Sequence, residues 1–499
     1  MPVRNLSTLR VGVVVPALVP AAWVTEAVVG LAATGARIAV CVVANSQPAQ
    51  VTGWSRLLVA VGGALATADP DVPRPLSELA GVDIVDAFDA VDVVFFIGVS
   101  PGAEPTPARH RLGVWELAGV AHLAGMRETI DDQGAVELAL RRVDQDGLLR
   151  PTGSRVQRLS PATTRARALW QAAALPARAL SDLAAARVPL LKGLDPKVAT
   201  TITATSAIAG AAKLTSRAMA TGVRRLLARN QWFVATCIDA ANPVPDLEQS
   251  IVLQAPADRF WADPFPVVDG DRACIFVEEW PYALGRGVLA AIEIDRAGNW
   301  RRLGTILEQP YHLSHPFVFA WQGETWLLPE SSAAGTLELY RCLEYPLRWE
   351  RETVLMQDKR IVDATLHEGT DRWWMFANIG DDRVSTHEEL HLFFADTPLG
   401  PWTPHPANPV VADPRFARPA GRLFELDGCC YRPAQDCGVR YGGALVIHEI
   451  LELTPERYAE RLHQRLPPQA LAGANRMHTL NQDQWLTVID GHRDRWRLT

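Results

Sequence analysis

The sequence lacks the features that would assign it to several broad functional classes. Its 499 residues carry 49 Lys and Arg against 56 Asp and Glu, a formal net charge of −7, so no basic footprint for nucleic acid is present. No apolar run reaches the roughly eighteen residues that a membrane span requires. The apolar run over residues 11–16 begins a strand and lacks the length and cleavage-site context of a signal peptide. A cytoplasmic protein without a membrane span is predicted.

Motifs for nucleotides and metals are also missing. No Gly-x-Gly-x-x-Gly follows the first strand and no Gly-Lys-Ser/Thr loop occurs, so neither a dinucleotide nor a nucleoside triphosphate is indicated. The seven cysteines are scattered, and none forms a Cys-x-x-Cys pair. This pattern indicates free thiols in a reducing compartment and not a zinc ribbon or a disulfide framework. No cofactor and no metal is predicted.

Strands and helices alternate at the beginning of the chain. Strands are predicted over 11–16, 37–43 and 91–98, and helices over 22–34 and 54–68. Nearly continuous apolar strands that alternate with helices indicate a parallel sheet covered on both faces. Residues 1–158 are therefore predicted to form an open, Rossmann-like α/β domain.

Residues 159–230 are predicted to form a helical connector. They are rich in Ala, Arg and Leu, and helices are expected over 163–174, 178–186 and part of 197–230, with prolines as breaks between them. The arginines fit a membrane or an acidic partner, and they equally fit a helical face in contact with water.

Residues 231–499 contain a pattern that returns five times. Each copy opens with a polar residue and usually passes through a Gly-containing turn into a second apolar run; the openers are Asp263, His315, Asp363, Arg418 and His478. Intervals of 48 to 60 residues between units of short strands are typical of β-propeller blades. A five-bladed propeller is predicted, with the openers gathered in a polar funnel.

Two details of this propeller are expected from the order of its strands. The strand over 231–237 is predicted to close the ring by pairing with the last blade, because circular sheets avoid free edges. Glu278, Glu279 and Glu330 end second strands, where the chain runs away from the channel mouth, so none is an obvious acid catalyst.

Residues 231–493 resemble the N-terminal domain of the glucosamine inositolphosphorylceramide transferase family. The matching motifs are Ala262-Asp-Pro-Phe265 with Glu278-Glu279, Pro316-Phe317 with Pro329-Glu-Ser331, Asp363-Ala-Thr365 with Phe376-Ala-Asn378, Arg418-Pro-Ala-Gly-Arg422 with Arg432-Pro-Ala-Gln-Asp436, and His478-Thr-Leu-Asn481. In the plant members, glycosyl transfer is assigned to a separate C-terminal domain. The resemblance therefore implies a role with carbohydrates without specifying catalysis.

A more distant similarity is to the five-bladed glycoside hydrolases that act on furanosides. It implies that Asp263, which precedes a proline in blade one, is the base or nucleophile and that Asp363 is a second carboxylate that orients or tunes it. Glycoside cleavage needs two carboxyls, one protonated and one ionised, about 5 to 9 Å apart. The expected ligand-binding residues are His315, Glu330, Arg418, Arg422, Asp436 and His478.

Each of these residues also has a structural explanation. Asp263 before a proline fits a turn cap, the two histidines fit hydrogen bonds between strands, and the two arginines fit ion pairs with the carboxylates. A metal site formed by His315, His478 and Asp363 is conceivable from the residue types. The leading hypothesis is glycosyl transfer or hydrolysis, and the alternative is a non-catalytic module that presents a glycan or glycolipid to a partner enzyme.

The N-terminal domain supports a third hypothesis. Its order of strand, helix, strand, Gly-x-Trp segment, Leu-rich strand and Gly-Leu-Leu turn resembles the formyltransferase family over roughly residues 9–180. That family uses an Asn, a His and an Asp. Here His122 matches the His, Asp144 or Asp146 loosely matches the Asp, and no Asn-x-His pattern occurs. Formyl or acyl transfer is the activity that this resemblance implies.

Overall fold

The computed structural model describes residues 5–43, 68–88, 90–101, 110–120, 124–143, 147–186, 203–239 and 244–496. The chain divides into two compact units. The first comprises Met1–Ala220 and Asp382–Val384, and the second comprises Thr221–Asp381 and Ser385–Thr499. Each unit has its own hydrophobic core.

The first unit is built on a seven-stranded sheet. Its strands are β1 (Arg10–Val15), β2 (Arg37–Val42), β3 (Val82–Val85), β4 (Val93–Phe96), β5 (Val114–Ala118), β6 (Ala135–Arg142) and β7 (Leu148–Arg155). The strand order is β3-β2-β1-β4-β5-β6-β7. The first five strands in this order are parallel, as expected, whereas β6 is antiparallel to both of its neighbours, so the sheet is mixed. The formyltransferase resemblance of this unit stays a prediction.

Within the described parts of the chain, the helices that accompany these strands are α1 (Ala22–Ala32), α2 (Met126–Asp131), α3 (Pro161–Ala185) and α4 (Ala204–Leu227). The separate helices expected over 163–174 and 178–186 are wrong, because α3 continues through Pro176. Leu169, Trp170 and Leu180 of α3 are buried in the core of the first unit, and this packing offsets the hydrogen bond that proline removes. Among the described residues, no helix combines the length and apolar character needed to cross a bilayer.

Some predictions for the N-terminal half fall on residues that the structure does not describe. The helix expected over 54–68 lies outside the described residues except for Ala68. His122, Asp144 and Asp146, which the formyltransferase resemblance singled out, also lie outside them. These predictions remain untested.

The second unit contains five sheets, each of four or five strands, as the repeat predicts. Blade 1 has β10 (Arg259–Asp269), β11 (Arg272–Pro281), β12 (Val288–Asp295) and β13 (Trp300–Leu307); blade 2 has β14 (Ser314–Trp321), β15 (Glu324–Glu330), β16 (Thr336–Glu344) and β17 (Arg348–Gln357); blade 3 has β18 (Arg360–Glu368), β19 (Trp373–Gly380), β20 (Glu389–Ala395), β21 (Thr403–Pro404) and β22 (Val411–Ala412); blade 4 has β23 (Arg418–Pro419), β24 (Phe424–Leu426), β25 (Cys429–Asp436), β26 (Ala444–Leu453) and β27 (Tyr458–Leu466).

Blade 5 joins the two ends of the propeller. Its strands, in order, are β28 (Leu480–Asp483), β29 (Leu486–Trp496), β8 (Ala228–Ile238) and β9 (Ile251–Leu253). The antiparallel ladder between β29 and β8 is continuous from Leu486 paired with Ile238 to Trp496 paired with Ala228. The expected closure of the ring by the strand that precedes blade 1 is therefore confirmed.

Candidate active site at the propeller axis

The first strands of blades 1, 2 and 3 share a β-bulge. Their pairing with the second strand shifts after Ala262, Ser314 and Val362, and the next residue in each blade has a positive φ angle. These next residues are Asp263 (φ 50°), His315 (φ 44°) and Asp363 (φ 52°), and all three are buried. A non-glycine residue in this conformation costs about 1 to 3 kcal/mol. Its recurrence at three equivalent positions indicates that the bulges aim these side chains at a shared site.

The second strands add another ring of polar side chains at the same level. The ladder pairs Ala262 with Glu278, Ser314 with Glu330, Val362 with Asn378 and Arg418 with Gln435, and the Asp490 N–H donates to the Thr479 carbonyl oxygen in blade 5 (3.2 Å). Each of the five second-strand residues is at most 8% exposed. We call Glu278, Glu330, Asn378, Gln435 and Asp490 the second-strand ring.

None of the three second-strand glutamates was an obvious acid from the sequence, but the structure places two of them beside the bulged residues, including Glu330, which was expected to bind the ligand. In an antiparallel hairpin the end of the second strand lies beside the start of the first, so Glu278 and Glu330 lie next to the bulged residues. Glu279 follows the alternation of side chains to the other face, where it pairs with Arg259 (2.9 Å) and Arg302 (2.6 Å). Hairpin register was the signal in the sequence that would have identified the ring.

Asp263 lies where blades 1, 2 and 5 meet. Its Oδ2 accepts a hydrogen bond from the His315 backbone N–H (3.0 Å), and its Oδ1 accepts one from the Thr479 hydroxyl (2.9 Å). The His478 Nε2 lies 3.2 Å from the same Oδ1. Three neighbours from two other blades therefore orient this carboxylate.

His478 bridges two aspartates. Its Nδ1 lies 2.5 Å from the Asp490 Oδ2, while its Nε2 faces Asp263. Burial lowers the pKa of the imidazole, but the charges of Asp490 and Asp263 outweigh this effect and raise the pKa above its usual value. Trp232 stacks on the ring at 4.1 Å between centroids. Both nitrogens thus serve to hold carboxylates.

One set of potential metal ligands exists among the described residues. Asp263, His478 and Asp490 each offer one ligand atom, and these atoms lie within 4.8 Å of one another. This trio differs from the combination of His315, His478 and Asp363 considered from the sequence. Each imidazole nitrogen of His478 lies within ion-pair distance of one of these carboxylates (3.2 Å to Asp263 and 2.5 Å to Asp490).

Asp363 is held as an anion. The Arg418 guanidinium donates to both of its oxygens (2.6 and 3.3 Å), and the Gln435 side-chain amide donates to Oδ2 (2.8 Å). The His315 Nδ1 lies 3.8 Å from Oδ1. Burial alone raises the pKa of this carboxyl, but Arg418 and His315 outweigh it and the pKa is lowered. Arg418 therefore binds Asp363, as the structural explanation of this arginine anticipated.

The two glutamates of the second-strand ring have the opposite behaviour. Burial, followed by the charge of Asp363, raises the pKa of Glu330, and the Ser332 hydroxyl donates to its Oε1 (2.6 Å). Burial, followed by the charge of Asp263, raises the pKa of Glu278 well above its usual range. The surroundings therefore favour the protonated form of these two glutamates and the ionised form of Asp363, whose pKa is lowered.

The remaining two residues predicted for ligand binding have other partners. The Arg422 guanidinium donates to the carbonyl oxygens of Pro266 (3.0 Å) and Val318, so it connects blade 4 with blades 1 and 2. Asp436 pairs with Arg465 on β27, the outer strand of blade 4 (2.8 Å). A ligand-binding role for Arg422 and Asp436 stays a prediction.

A group of aromatic side chains lies beside Ala262. Trp232 and Phe260 are buried, whereas Trp280, Tyr282 and Tyr441 are only partly buried. The Arg418 guanidinium lies over the Tyr441 ring at 5.0 Å. Partly exposed aromatic rings next to buried carboxyls are a common arrangement in ligand sites.

Comparison with known families identifies the second unit. Residues 228–492 match the family model described as glucosamine inositolphosphorylceramide transferase 1, N-terminal. The chain belongs to this family. Curated relatives include glucosamine inositolphosphorylceramide transferase 1 from Oryza sativa subsp. japonica, 35% identical over 47% of this chain and 33% of the relative. The same-named protein from Arabidopsis thaliana is 39% identical over 40% of this chain and 27% of the relative.

The chain therefore matches only about a third of the length of these curated relatives. Solved structures with some likeness include a family 117 glycoside hydrolase from Zobellia galactanivorans, at 12% identity, a TM-score of 0.36, and coverage of 53% of this chain and 90% of that chain. A GH43 β-xylosidase/α-arabinofuranosidase from a compost microbial metagenome has 11% identity, a TM-score of 0.34, and coverage of 48% and 91%.

Proposed function

We propose that the propeller of this family member binds a sugar or glycoconjugate at its axis and catalyses glycosyl transfer or hydrolysis there. The observation that carries the proposal is that buried carboxyls at the axis have pKa values shifted in opposite directions. Glu278 and Glu330 favour the protonated form, and Asp363 favours the ionised form. Cleavage of a glycosidic bond needs one carboxyl of each kind. The name of the relatives, glucosamine inositolphosphorylceramide transferase 1, agrees with a carbohydrate role.

Asp263 acts at the anomeric carbon in the proposed reaction, as nucleophile or as base for the incoming hydroxyl. Glu330 donates its proton to the glycosidic oxygen as the bond to the anomeric carbon breaks, so that the leaving group departs neutral. Water is the acceptor in hydrolysis, and a hydroxyl of a second substrate is the acceptor in transfer. Asp363, fixed by Arg418 and Gln435, adds negative charge near the positively charged transition state.

Glu330 is preferred to Glu278 as the donor because of its hydrogen bonds. The Ser332 hydroxyl donates to Oε1 of Glu330, which leaves Oε2 to carry the proton. Glu330 also lies beside Asp363, so ionisation of one carboxyl favours protonation of the other. Glu278 serves as the matched comparison, since it occupies the equivalent position in blade 1.

The test uses 4-nitrophenyl glycosides and methyl glycosides of the same sugars. Asp263→Asn is expected to lower kcat by about 10²- to 10⁴-fold on any sugar that the wild type turns over. Glu330→Gln is expected to slow the methyl glycoside much more than the nitrophenyl glycoside, because nitrophenolate leaves without a proton. Glu278→Gln should not show this dependence on the leaving group.

Circular dichroism of each variant checks that the fold is retained. Unchanged turnover by Asp263→Asn removes the assignment of that residue. An equal loss on both leaving groups removes Glu330 as the proton donor.

A non-catalytic glycan-binding module, which presents its ligand to a partner enzyme, is the second candidate. The observation that favours it is the full set of partners around Asp263, since both of its oxygens already accept hydrogen bonds. Calorimetric titration with the same sugars, followed by a search for product, separates the two candidates. Binding without product after long incubation supports the module and overturns catalysis.

Formyl or acyl transfer by the first unit is a separate hypothesis. It rests on the sequence resemblance, and the residues named for it lie outside the described part of the chain. Titration of the whole protein with a formyl-folate donor tests it, and the absence of binding would dispose of it.

A further inference from the structure

His312 lies beside the second-strand ring, in the loop that connects blades 1 and 2. It precedes Ser314, the first residue of β14, by two positions, and its side chain is 32% exposed. Its Nε2 lies 3.8 Å from the Oε1 of Glu278, whose side chain is only 10% exposed. A partly exposed imidazole therefore faces a buried carboxyl of the ring.

The tautomer of His312 follows from its contact with the backbone of blade 1. The Gly287 N–H donates to the His312 Nδ1 (2.9 Å), so this nitrogen is an acceptor and carries no proton. Burial lowers the pKa of the imidazole, which favours the neutral ring at pH 7 with its one proton on Nε2. The nitrogen that faces Glu278 is consequently a hydrogen-bond donor.

Close packing holds the imidazole in this position. A Cβ atom at Gly287 would meet the Leu313 carbonyl oxygen at 2.4 Å and the His312 Nδ1 at 2.7 Å, so this approach requires glycine. The Leu313 N–H in turn donates to the Gly287 carbonyl oxygen (3.1 Å). Arg286 donates to the Gln309 carbonyl oxygen in the same loop (2.8 Å). These contacts fix the direction of the Nε2–H group.

Within the described part of the chain, neither the His312 Nε2 nor the Glu278 carboxyl makes a hydrogen bond. Their separation of 3.8 Å exceeds hydrogen-bond range, but a hydroxyl oxygen about 2.8 Å from each atom can bridge them. Burial, followed by the charge of Asp263, raises the pKa of Glu278, so both groups favour their uncharged forms. Such a pair suits a hydroxyl better than a charged group, whose desolvation it would not offset.

Trp280 adds an aromatic surface beside this pair. Side chains alternate along a strand, so Trp280, two residues after Glu278 on β11, lies on the same face as Glu278. Its ring stacks on Phe260 (5.8 Å between centroids), lies 5.4 Å from the His312 ring and is only partly buried. A sugar ring has C–H groups on its face and hydroxyls at its edge, which suit an aromatic ring beside hydrogen-bonding groups.

We propose that Trp280, His312 and Glu278 form a subsite for a neutral sugar. One ring hydroxyl accepts a hydrogen bond from the His312 Nε2–H and pairs with the Glu278 carboxyl, while the C–H face of the sugar packs on Trp280. His312 thereby selects the sugar by the position of one hydroxyl. This inference rests on the proposed function, because it concerns the sugar that the axis is proposed to bind.

Calorimetric titration of the full chain tests the subsite, with the methyl glycosides of glucose, galactose, xylose and N-acetylglucosamine as probes. The amide of His312→Gln reaches the place of Nε2 and restores a donor there, whereas His312→Asn restores only the acceptor for the Gly287 N–H. We expect His312→Asn to raise the Kd of the sugar that binds by about tenfold, and His312→Gln to raise it much less. The reverse order would mean that only the Nδ1 contact matters and would overturn the assignment of Nε2.

Monodeoxy analogues of the sugar that binds identify the hydroxyl. Removal of the bridging hydroxyl should weaken binding to the wild type by about tenfold and leave the affinity of His312→Asn almost unchanged, because that variant has already lost the contact. The other monodeoxy analogues should affect the two proteins equally. Equal effects of every analogue on both proteins would overturn the bridge.

Trp280→Leu tests the aromatic surface. It should weaken binding of the same sugar by roughly five- to tenfold, because the ring is lost while an apolar side chain remains. Trp321→Leu is the matched control, since Trp321 is also partly buried and lies at the opposite end of β14 from Ser314; it should bind like the wild type. Circular dichroism checks the fold of each variant.

Failure of the subsite and failure of the proposed function give different results. If the folded wild type binds none of the probes, the sugar site at the axis and this subsite are both overturned. If the wild type binds a sugar and His312→Asn and Trp280→Leu bind it equally well, only the subsite is overturned. Binding that depends on His312 and Trp280, without product, supports the subsite and overturns catalysis.

Discussion

Buried carboxyl groups in this protein have pKa values shifted in opposite directions because their surroundings differ. Asp363 and Glu330 are both buried carboxyls, but only Asp363 accepts close hydrogen bonds from a guanidinium (2.6 and 3.3 Å). The positive charge of Arg418 therefore stabilises the Asp363 anion and lowers its pKa. The negative charge of Asp363 in turn raises the pKa of Glu330. No sequence pattern distinguishes these carboxyls, since the deciding contact joins residues 55 positions apart.

The raised pKa of Glu278 can be tested through the pH dependence of the free energy of unfolding. Its pKa is raised from a usual 4.5, so above that pH the unfolded chain releases a proton that the folded chain retains. Unfolding is then favoured as pH rises, with a slope of up to about 1.4 kcal/mol per pH unit. Glu278→Gln cannot release a proton, so we expect its free energy of unfolding, relative to wild type, to increase from pH 5 to pH 8.

Urea titrations of both proteins at each pH provide the measurement. The matched control is the exposed Glu344→Gln, for which the difference from wild type should not change with pH. A Glu278→Gln difference that is flat across this range would show that Glu278 ionises normally in the folded protein.

At the level of the strands, the register of each hairpin brings polar residues of the five repeats together in one site. Each first strand presents its opener beside the end of the second strand, so every blade contributes two polar positions. Close approach between blades then depends on Gly421, which has a φ of 137°. A Cβ atom there would meet the Leu480 carbonyl oxygen at 2.2 Å and the Asn481 Oδ1 at 2.7 Å.

We expect Gly421→Ala to destabilise the protein by roughly 1 to 3 kcal/mol, because the alanine combines an unfavourable φ with a backbone clash. Gly428→Ala is the matched control, since Gly428 also has a positive φ, 77°, but nothing lies within 4 Å of its Cβ position. Chemical denaturation of the two variants measures the difference between them. Equal losses would show that the contact with blade 5 relaxes without cost.

In the second unit as a whole, closure of the ring brings the first and last strands of the propeller sequence into one sheet. The strand β29 pairs with β28 on one side and with β8 on the other, so it joins segments more than two hundred residues apart in the chain. Propellers close in this way to avoid free sheet edges. Blade 5 also supplies His478 and Asp490, so closure completes the axial site as well as the fold.

A chain that ends at Asp483 is therefore expected to lose the cooperative thermal unfolding of the propeller. Without β29, the strand β8 has no partner between it and β28, and the buried residues Leu486, Val488 and Ile489 are absent from the cores that they join. Differential scanning calorimetry of this chain, beside one that ends at Trp496, provides the comparison. A retained propeller transition in the shorter chain would show that the ring holds without its closing strand.

Local patterns in the sequence were sufficient for the architecture of this protein. Polar openers near fifty-residue intervals, alternating apolar strands and glycine turns determined five blades, and the free strand before blade 1 determined how the ring closes. Such signals act over a few residues, as turn geometry and side-chain alternation do. The same patterns identified Asp263, His315, Asp363, Arg418 and His478 as residues of a common cluster.

Only the tertiary structure decided which partners these side chains have and in which direction the pKa of each carboxyl shifts. The Asp263 backbone N–H donates to Asp490, 227 residues later, and the desolvation of Glu278 and Glu330 follows from the packing of whole blades. Solvation and Coulomb interactions depend on distance and burial in the folded molecule. The sequence pattern alone therefore determined the five blades, whereas the interactions among the side chains at the propeller axis depend on the folded structure.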